Sequence, residues 1–220
     1  MTGKSASNGQ HYVPGLGFSW LTPLFDPVVR LLVPEAAIKG ELIHEARIEN
    51  SQSVLDIGCG TGTLMLLIMK AHSDASVTGL DGDPEMLAIA RGKLAKAGLS
   101  AQLDHASADH MPYPDGSFDR VVSSLVFHHL DTEAKRGALA EAFRALRPGG
   151  RIAIVDIGAP HTAIARLMAP LVRRLERAAD NLDGLIPVFM REAGFSNVEE
   201  RQPFRFLLGT LTIVVGRRAG

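Results

Sequence analysis

Short apolar blocks alternate along this chain with longer segments whose apolar residues recur at helical spacing. Ser53–Ile57, residues 76–80, residues 101–106, residues 117–124 and residues 151–157 read as strands. Between them, Leu64-Met65-Leu66-Leu67-Ile68-Met69 predicts a helix over 63–71. Asp83-Pro84-Glu85 opens a helix with an acidic cap and a proline at its first position; it passes through Met86, Ile89 and Leu94 and stops at Gly98. Residues 132–146 form a further helix, closed by Pro148-Gly149-Gly150. Strands alternating with helices predict a parallel sheet covered on both faces.

The pattern changes at both ends. Residues 1–12 are small and polar and read as a disordered tail. Residues 13–48 combine prolines, glycines and aromatics, then a helix from Pro34 to about Ile48 with Ala37, Ile38, Leu42, Ile43 and Ala46 at helical spacing. After Ile157, residues 160–180 read as helical with a bend at Pro170, and residues 183–193 as another helix closed by Gly194. Residues 197–206 and 210–217, with a short gap between them, predict an antiparallel hairpin at the sheet edge.

The centre of this pattern is Val54-Leu55-Asp56-Ile57-Gly58-Cys59-Gly60-Thr61-Gly62, a strand that runs into a glycine-rich turn and then a helix. Such a unit binds nucleotide-like cofactors. A dinucleotide fingerprint needs G-x-G-x-x-G; here the third glycine comes one place early, and Asp56 precedes the first by two residues. A carboxylate beside a pyrophosphate would repel it, whereas a cation suits it. These residues resemble motif I of the class I S-adenosylmethionine-dependent methyltransferases, whose cofactor carries an ammonium and a sulfonium.

The resemblance covers residues of about 50–218 and implies an α/β fold: a Rossmann-like doubly wound seven-stranded sheet of order 3-2-1-4-5-7-6, its last strand antiparallel. With it go an N-terminal helical lid over 13–48 and a helical acceptor-side insertion over about 158–186. It implies that Gly58, Cys59, Gly60 and Gly62 lie under the amino-acid part of S-adenosyl-L-methionine. Asp56 faces its ammonium or bonds the N–H groups of its own loop; the two roles can coexist. Asp81, with Gly82 after it, meets the ribose hydroxyls or caps the next helix. Met86 touches the adenine or fills core. In the loop holding Ala108, Asp109 and His110, the acid accepts from the adenine amino group, and Asp119 is structural.

Ser124 and Leu125 would line the methionine end. His128 and His129 follow; one of them acts as a base toward the acceptor, or packs and holds the loop. Adjacent histidines with no other ligand at metal spacing do not make a zinc site. Acceptor contacts are expected from Tyr12, Phe18, Trp20, Phe25 and Met168. The apolar surroundings favour a small hydrophobic or aromatic acceptor. Pro112-x-Pro-Asp-x-Ser-Phe-Asp119 and Leu146-Arg-Pro-Gly-Gly150 are similar to the group that includes the ubiquinone and menaquinone C-methyltransferases, while Phe127-His128-His129 departs from the Asn-containing pattern of the quinone enzymes. The alternative is a non-catalytic cofactor-binding or regulatory protein on the same scaffold.

Bulk properties narrow the setting. A net charge of -1 over 220 residues gives no global field for nucleic acid. One cysteine, Cys59, excludes an internal disulfide and fits a reducing cytoplasm. No secretory signal is visible, and Pro23, Asp26, Pro27 and Arg30 interrupt the apolar stretch 15–33, so no stable membrane insertion is expected. A monomer or homodimer acting on a small molecule is the expected form.

Overall fold

The computed structural model describes residues 35–175, 177–206 and 209–220. Tyr12, Phe18, Trp20, Phe25 and the tail lie outside the described residues, as does the 13–48 segment up to residue 34.

Eight strands form one sheet: β1 (Ser53–Ile57), β2 (Ser76–Asp81), β3 (Gln102–His105), β4 (Phe118–Ser124), β5 (Leu146–Ile157), β6 (Ser196–Glu200), β7 (Phe204–Phe206) and β8 (Gly209–Arg217). The order is β3-β2-β1-β4-β5-β8-β6, with β7 also paired to β8. Pairings from β3 through β5 are parallel, and β8 is antiparallel to β5, β6 and β7. The expected architecture holds with two refinements, the first being that the stretch read as a single strand over 197–206 is split in two around residues 201–203. Both pieces use β8 as their template, and Arg201 N–H still donates to Ile213 O at 2.8 Å, so the edge is continuous. A second refinement is that β5 begins at Leu146. Phe118 pairs Leu146 and Arg120 pairs Arg151, so Pro148-Gly149-Gly150 forms a bulge inside the strand instead of ending the helix before it.

Helices cover both faces: α1 (Glu35–Ala46), α2 (Thr63–Ala71), α3 (Pro84–Lys96), α4 (Thr132–Ala145), α5 (Ala163–Leu175), α6 (Ala179–Leu182) and α7 (Ile186–Glu192). Alternation along β1 decides what each face holds. Val54 packs with Leu42 of α1 and with Met65 and Ile68 of α2. Leu55 and Ile57 pack with Leu139 and Ala142 of α4 and Phe189 and Met190 of α7. Leu42, Leu55, Met65 and Leu139 are fully buried, each contributing on the order of 1.5–3 kcal/mol by leaving water. Helix α1 is tied to the sheet by Arg151, whose Nε donates to Glu45 O at 2.6 Å.

The expected bend region is two helices. Pro170 lies inside α5, and the short α6 follows after residue 178. The lower edge is pinned by Asp119, whose Oδ2 accepts from Ser53 N–H and from Arg147 Nη1, each at 2.8 Å, which is the structural role expected of it.

Candidate active site

The parallel strands deliver their C-terminal ends to one edge, and the residues that leave that edge make the site. The turn after β1 places Gly58, Gly60 and Gly62 all in the left-handed region, with φ of 66°, 51° and 72°. An L-residue resists that conformation, which is why three glycines stand there. The N–H groups of Gly58 and Cys59 both donate to Leu80 O, at 2.7 and 3.0 Å, and fold the turn back over β2. A side chain at Gly58 would come within 2.3 Å of Val126 Cγ2, so the loop after β4 presses directly on this glycine. At Gly60 the same position is open space. Gly62 begins α2 with no side-chain cap, leaving the first N–H groups of that helix facing the site edge.

Asp56 sits beneath this turn, 1% exposed. Its Oδ2 has no hydrogen-bond partner. Burial pushes its carboxyl up to about 8; Lys39 on α1 opposes that rise and Asp81 adds to it. Asp56 does not brace its own loop through Oδ2; the bracing acid is Asp81. Asp81 Oδ2 accepts from Gly60 N–H at 2.7 Å, and its Oδ1 from Asp83 N–H at 2.9 Å. The helix cap belongs to Asp83, which accepts from Glu85 and Met86 N–H. That leaves Met86 half-buried on the first turn of α3 and Gly82 exposed, its carbonyl 3.0 Å from His105 Nε2. Cys59 is buried, and burial pushes its thiol up, the opposite of what a nucleophile needs.

In the loop after β3, Asp109 is partly buried. Burial works against its ionisation, but hydrogen bonds from Ser107 and His110 outweigh it and hold the carboxyl below the usual range. Gly137 lets α4 approach closely: a Cβ there would lie 2.8 Å from Asp109 Cβ. Ala108 is half-buried and His110 exposed.

After β4, Ser124 leads into Leu125, which holds φ of 61° and is 36% exposed. A left-handed leucine is a strained residue, and such strain concentrates at functional sites. His128 and His129 then lie on one short 3-10 turn, Phe127–His129, with their rings 3.9 Å apart. The turn separates them: His128 is buried and His129 exposed.

The residue that organises this loop is Asp156, near the end of β5, and the sequence reading did not single it out. Its Oδ2 accepts from Val126 N–H at 3.0 Å and Phe127 N–H at 2.7 Å. Its Oδ1 accepts from Ile157 N–H and meets His128 Nδ1, both at 2.7 Å. Burial disfavours the charge, but His128 and the backbone donors overcome it and hold the carboxyl low. An ionised carboxylate only accepts, so Nδ1 of His128 carries the hydrogen. A signal for Asp156 did exist: Val155-Asp156-Ile157 repeats the apolar-acid-apolar strand end of Leu55-Asp56-Ile57.

Residues 54–150 match a family model described as a methyltransferase domain. A demethylmenaquinone methyltransferase of Thermus thermophilus is 35% identical over 145 residues, 65% of this chain and 65% of that protein. The chain thus matches just under two thirds of that relative's length. This chain carries a methyltransferase domain over residues 54–150. Two solved structures share its fold. Phosphoethanolamine N-methyltransferase 2 of Haemonchus contortus, in complex with S-adenosyl-L-methionine, superposes with a TM-score of 0.68 at 18% identity, over 81% of this chain and 51% of that one. The [4+2]-cyclase SpnF gives 0.68 at 18%, over 83% and 81%. That one fold carries both names means the residues at the sheet edge must decide the chemistry.

Within the methyltransferase domain, the glycine turn, Asp56, Asp81 and Gly82, the Ala108–His110 loop and the Ser124–His129 loop all leave the same sheet edge. The side chain of Met168, on α5, lies outside the described residues. Among the described residues no helix is long and apolar enough to cross a membrane. The one cluster of possible metal ligands among them, Glu41, His44 and Glu45, lies on α1, and Glu45 is already engaged by Arg151.

Proposed function

We propose that this protein transfers a methyl group from S-adenosyl-L-methionine to a small, hydrophobic or aromatic acceptor by in-line displacement. The observation that carries this reading is Asp56: a buried carboxyl with one unpartnered oxygen, beneath three left-handed glycines. An unpaired buried acid is costly unless a cation completes it. The ammonium of the cofactor's methionine is that cation, and its carboxylate finds the uncapped start of α2. Asp81 has each oxygen engaged by one N–H, which leaves lone pairs for the ribose hydroxyls. Gly82, Met86, Ala108, Asp109 and His110 surround the adenine, and Cys59 fills space under the ligand.

The methyl group then points at the Ser124–His129 loop. Its sulfonium is already an electrophile, so the protein's work is alignment, worth on the order of 7–11 kcal/mol in well-oriented systems. Asp156 fixes the tautomer and orientation of His128. His128 holds the loop, and the pair is the candidate base for an acceptor that must lose a proton, with exposed His129 beside it.

The demethylmenaquinone methyltransferase relatives support a quinol-like acceptor. The N-terminal lid with Tyr12, Phe18, Trp20 and Phe25, and Met168 on α5, are proposed to cover it. A cytoplasmic monomer or homodimer acting on a small molecule, not on nucleic acid, completes the proposal. The test is transfer of labelled methyl from S-adenosyl-L-methionine to a panel of quinols, phenols and thiols. Label in a quinol or phenol is the expected result; cofactor binding with no transfer to any of them would favour a non-catalytic binder.

A further inference from the structure

Asn181 is a polar side chain with nothing to bond. It is 1% exposed, and neither its Nδ2 nor its Oδ1 has a hydrogen-bond partner. Buried amides in folded proteins are nearly always satisfied, so this one needs a reason. Its position is not a loose end. The preceding residue, Asp180, is clamped by the fully buried Lys135 of α4 at 3.0 Å and by Thr132 Oγ1 at 2.9 Å. Lys135 Nζ also donates to Arg177 O at 2.6 Å. Helix α6 is thereby locked to α4, and the lock holds Asn181 inward.

Asn181 lines a partly enclosed cavity of about 20 Å³, beneath the end of β5. Ile154, Ile186 and Val214 give it apolar walls, and Asp156 and Glu200 also line it. Asp156 is the residue that bonds His128, so the cavity adjoins the loop where the methyl group is delivered. Its size admits one hydroxyl-sized group. Two carboxylates in the lining exclude an anion. Thr212 and Glu200 line it as well, but among the lining side chains Asn181 is the one whose buried donor and buried acceptor both lack a partner, which suits a neutral group that both donates and accepts.

We propose that Asn181 is a specificity-determining residue that binds a hydroxyl group of the acceptor in this cavity. The inference rests on the methyl-transfer reading for the identity of the ligand as an acceptor. It adds the residue that reads the acceptor's hydroxyl: the enzyme leaves the Asn181 amide unpaired until that hydroxyl arrives. A site of this kind rejects an analogue that lacks the group, because the buried amide then stays unsatisfied.

The test is calorimetry on the full chain loaded with S-adenosylhomocysteine, using 1-naphthol and 1-methylnaphthalene as matched probes. Expected is a preference for the naphthol of about tenfold or more. Asn181→Leu should abolish the preference while S-adenosylhomocysteine binds as before. Asn181→Ser, which keeps a smaller hydrogen-bonding group, serves if the leucine variant does not fold, and should reduce the preference. Equal binding of the two probes, no binding of either, or a preference that survives both substitutions overturns the proposal and leaves the cavity to an ordered water. Failure of S-adenosylhomocysteine to bind the unaltered protein would instead strike the methyl-transfer reading.

Discussion

Asp156 and His128 stand 2.7 Å apart at the buried base of the loop that follows β4, and the same carboxylate accepts the N–H groups of Val126, Phe127 and Ile157. One side chain therefore replaces the backbone bonds that this loop cannot make to itself. Asp156→Ala should cost about 3–5 kcal/mol, since it strands a buried imidazole, the buried Phe127 N–H and two partly buried N–H donors. Urea denaturation measures this, and Asp156→Asn should lose less.

The charge on Asp156 sets an acid limit. Its folded carboxyl lies below its unfolded value. The stability it contributes is present above the ordinary carboxylate range and is lost as pH falls through the depressed value. The unaltered protein should lose stability below about pH 4 more steeply than Asp156→Asn, as followed by thermal melts across pH.

Asp56 behaves in the opposite way. Burial raises it to about 8, with Lys39 opposing and Asp81 assisting. Its contribution is present at low pH and declines as pH rises from about 4 toward 8, because the unfolded chain ionises in that window while the buried carboxyl keeps its proton. Binding of a cationic cofactor needs the ionised form. Affinity for S-adenosyl-L-methionine should rise with pH up to about 8 and then level, with proton release below that value. Calorimetry in buffers of different ionisation enthalpy reads the released proton.

Asp56→Asn separates folding from binding. The amide is neutral at every pH, so the cofactor-free variant should melt at or above the temperature of the unaltered protein at pH 8. Its affinity for S-adenosyl-L-methionine should fall by about tenfold or more, since a charge-assisted bond is lost. A variant that keeps full affinity would remove Asp56 from the ammonium site.

Gly58 and Gly60 share a left-handed conformation and differ in their neighbours. Alanine at either costs about 1–2 kcal/mol in backbone strain. At Gly58 it also meets Val126 Cγ2 at 2.3 Å, whereas at Gly60 it meets open space. Gly58→Ala should be the more destabilising in thermal melts.

Much of this was legible in the sequence because the relevant signals are local. β1 and α2 lie where the run Ser53–Ala71 places them, and Asp83 caps α3 as its spacing to Pro84 requires. What the sequence hid depends on distant partners. Nothing near Pro148-Gly149-Gly150 reveals that it bulges within β5; that follows from pairing with β4. The break between β6 and β7 reflects a register set by β8. Asp156 acquires its role from a loop about 30 residues earlier, and Asn181 from the clamp between Lys135 and Asp180.

The contact between Gly58 and Val126 has one more consequence. It presses the turn after the first strand and the turn after the fourth into a single latch across the mouth of the fold. Neither can shift outward alone without opening a gap against the other. The glycine turn and the turn that carries His128 thus meet through a single valine side chain, and a bulkier or smaller residue at position 126 would alter the seat of both at once.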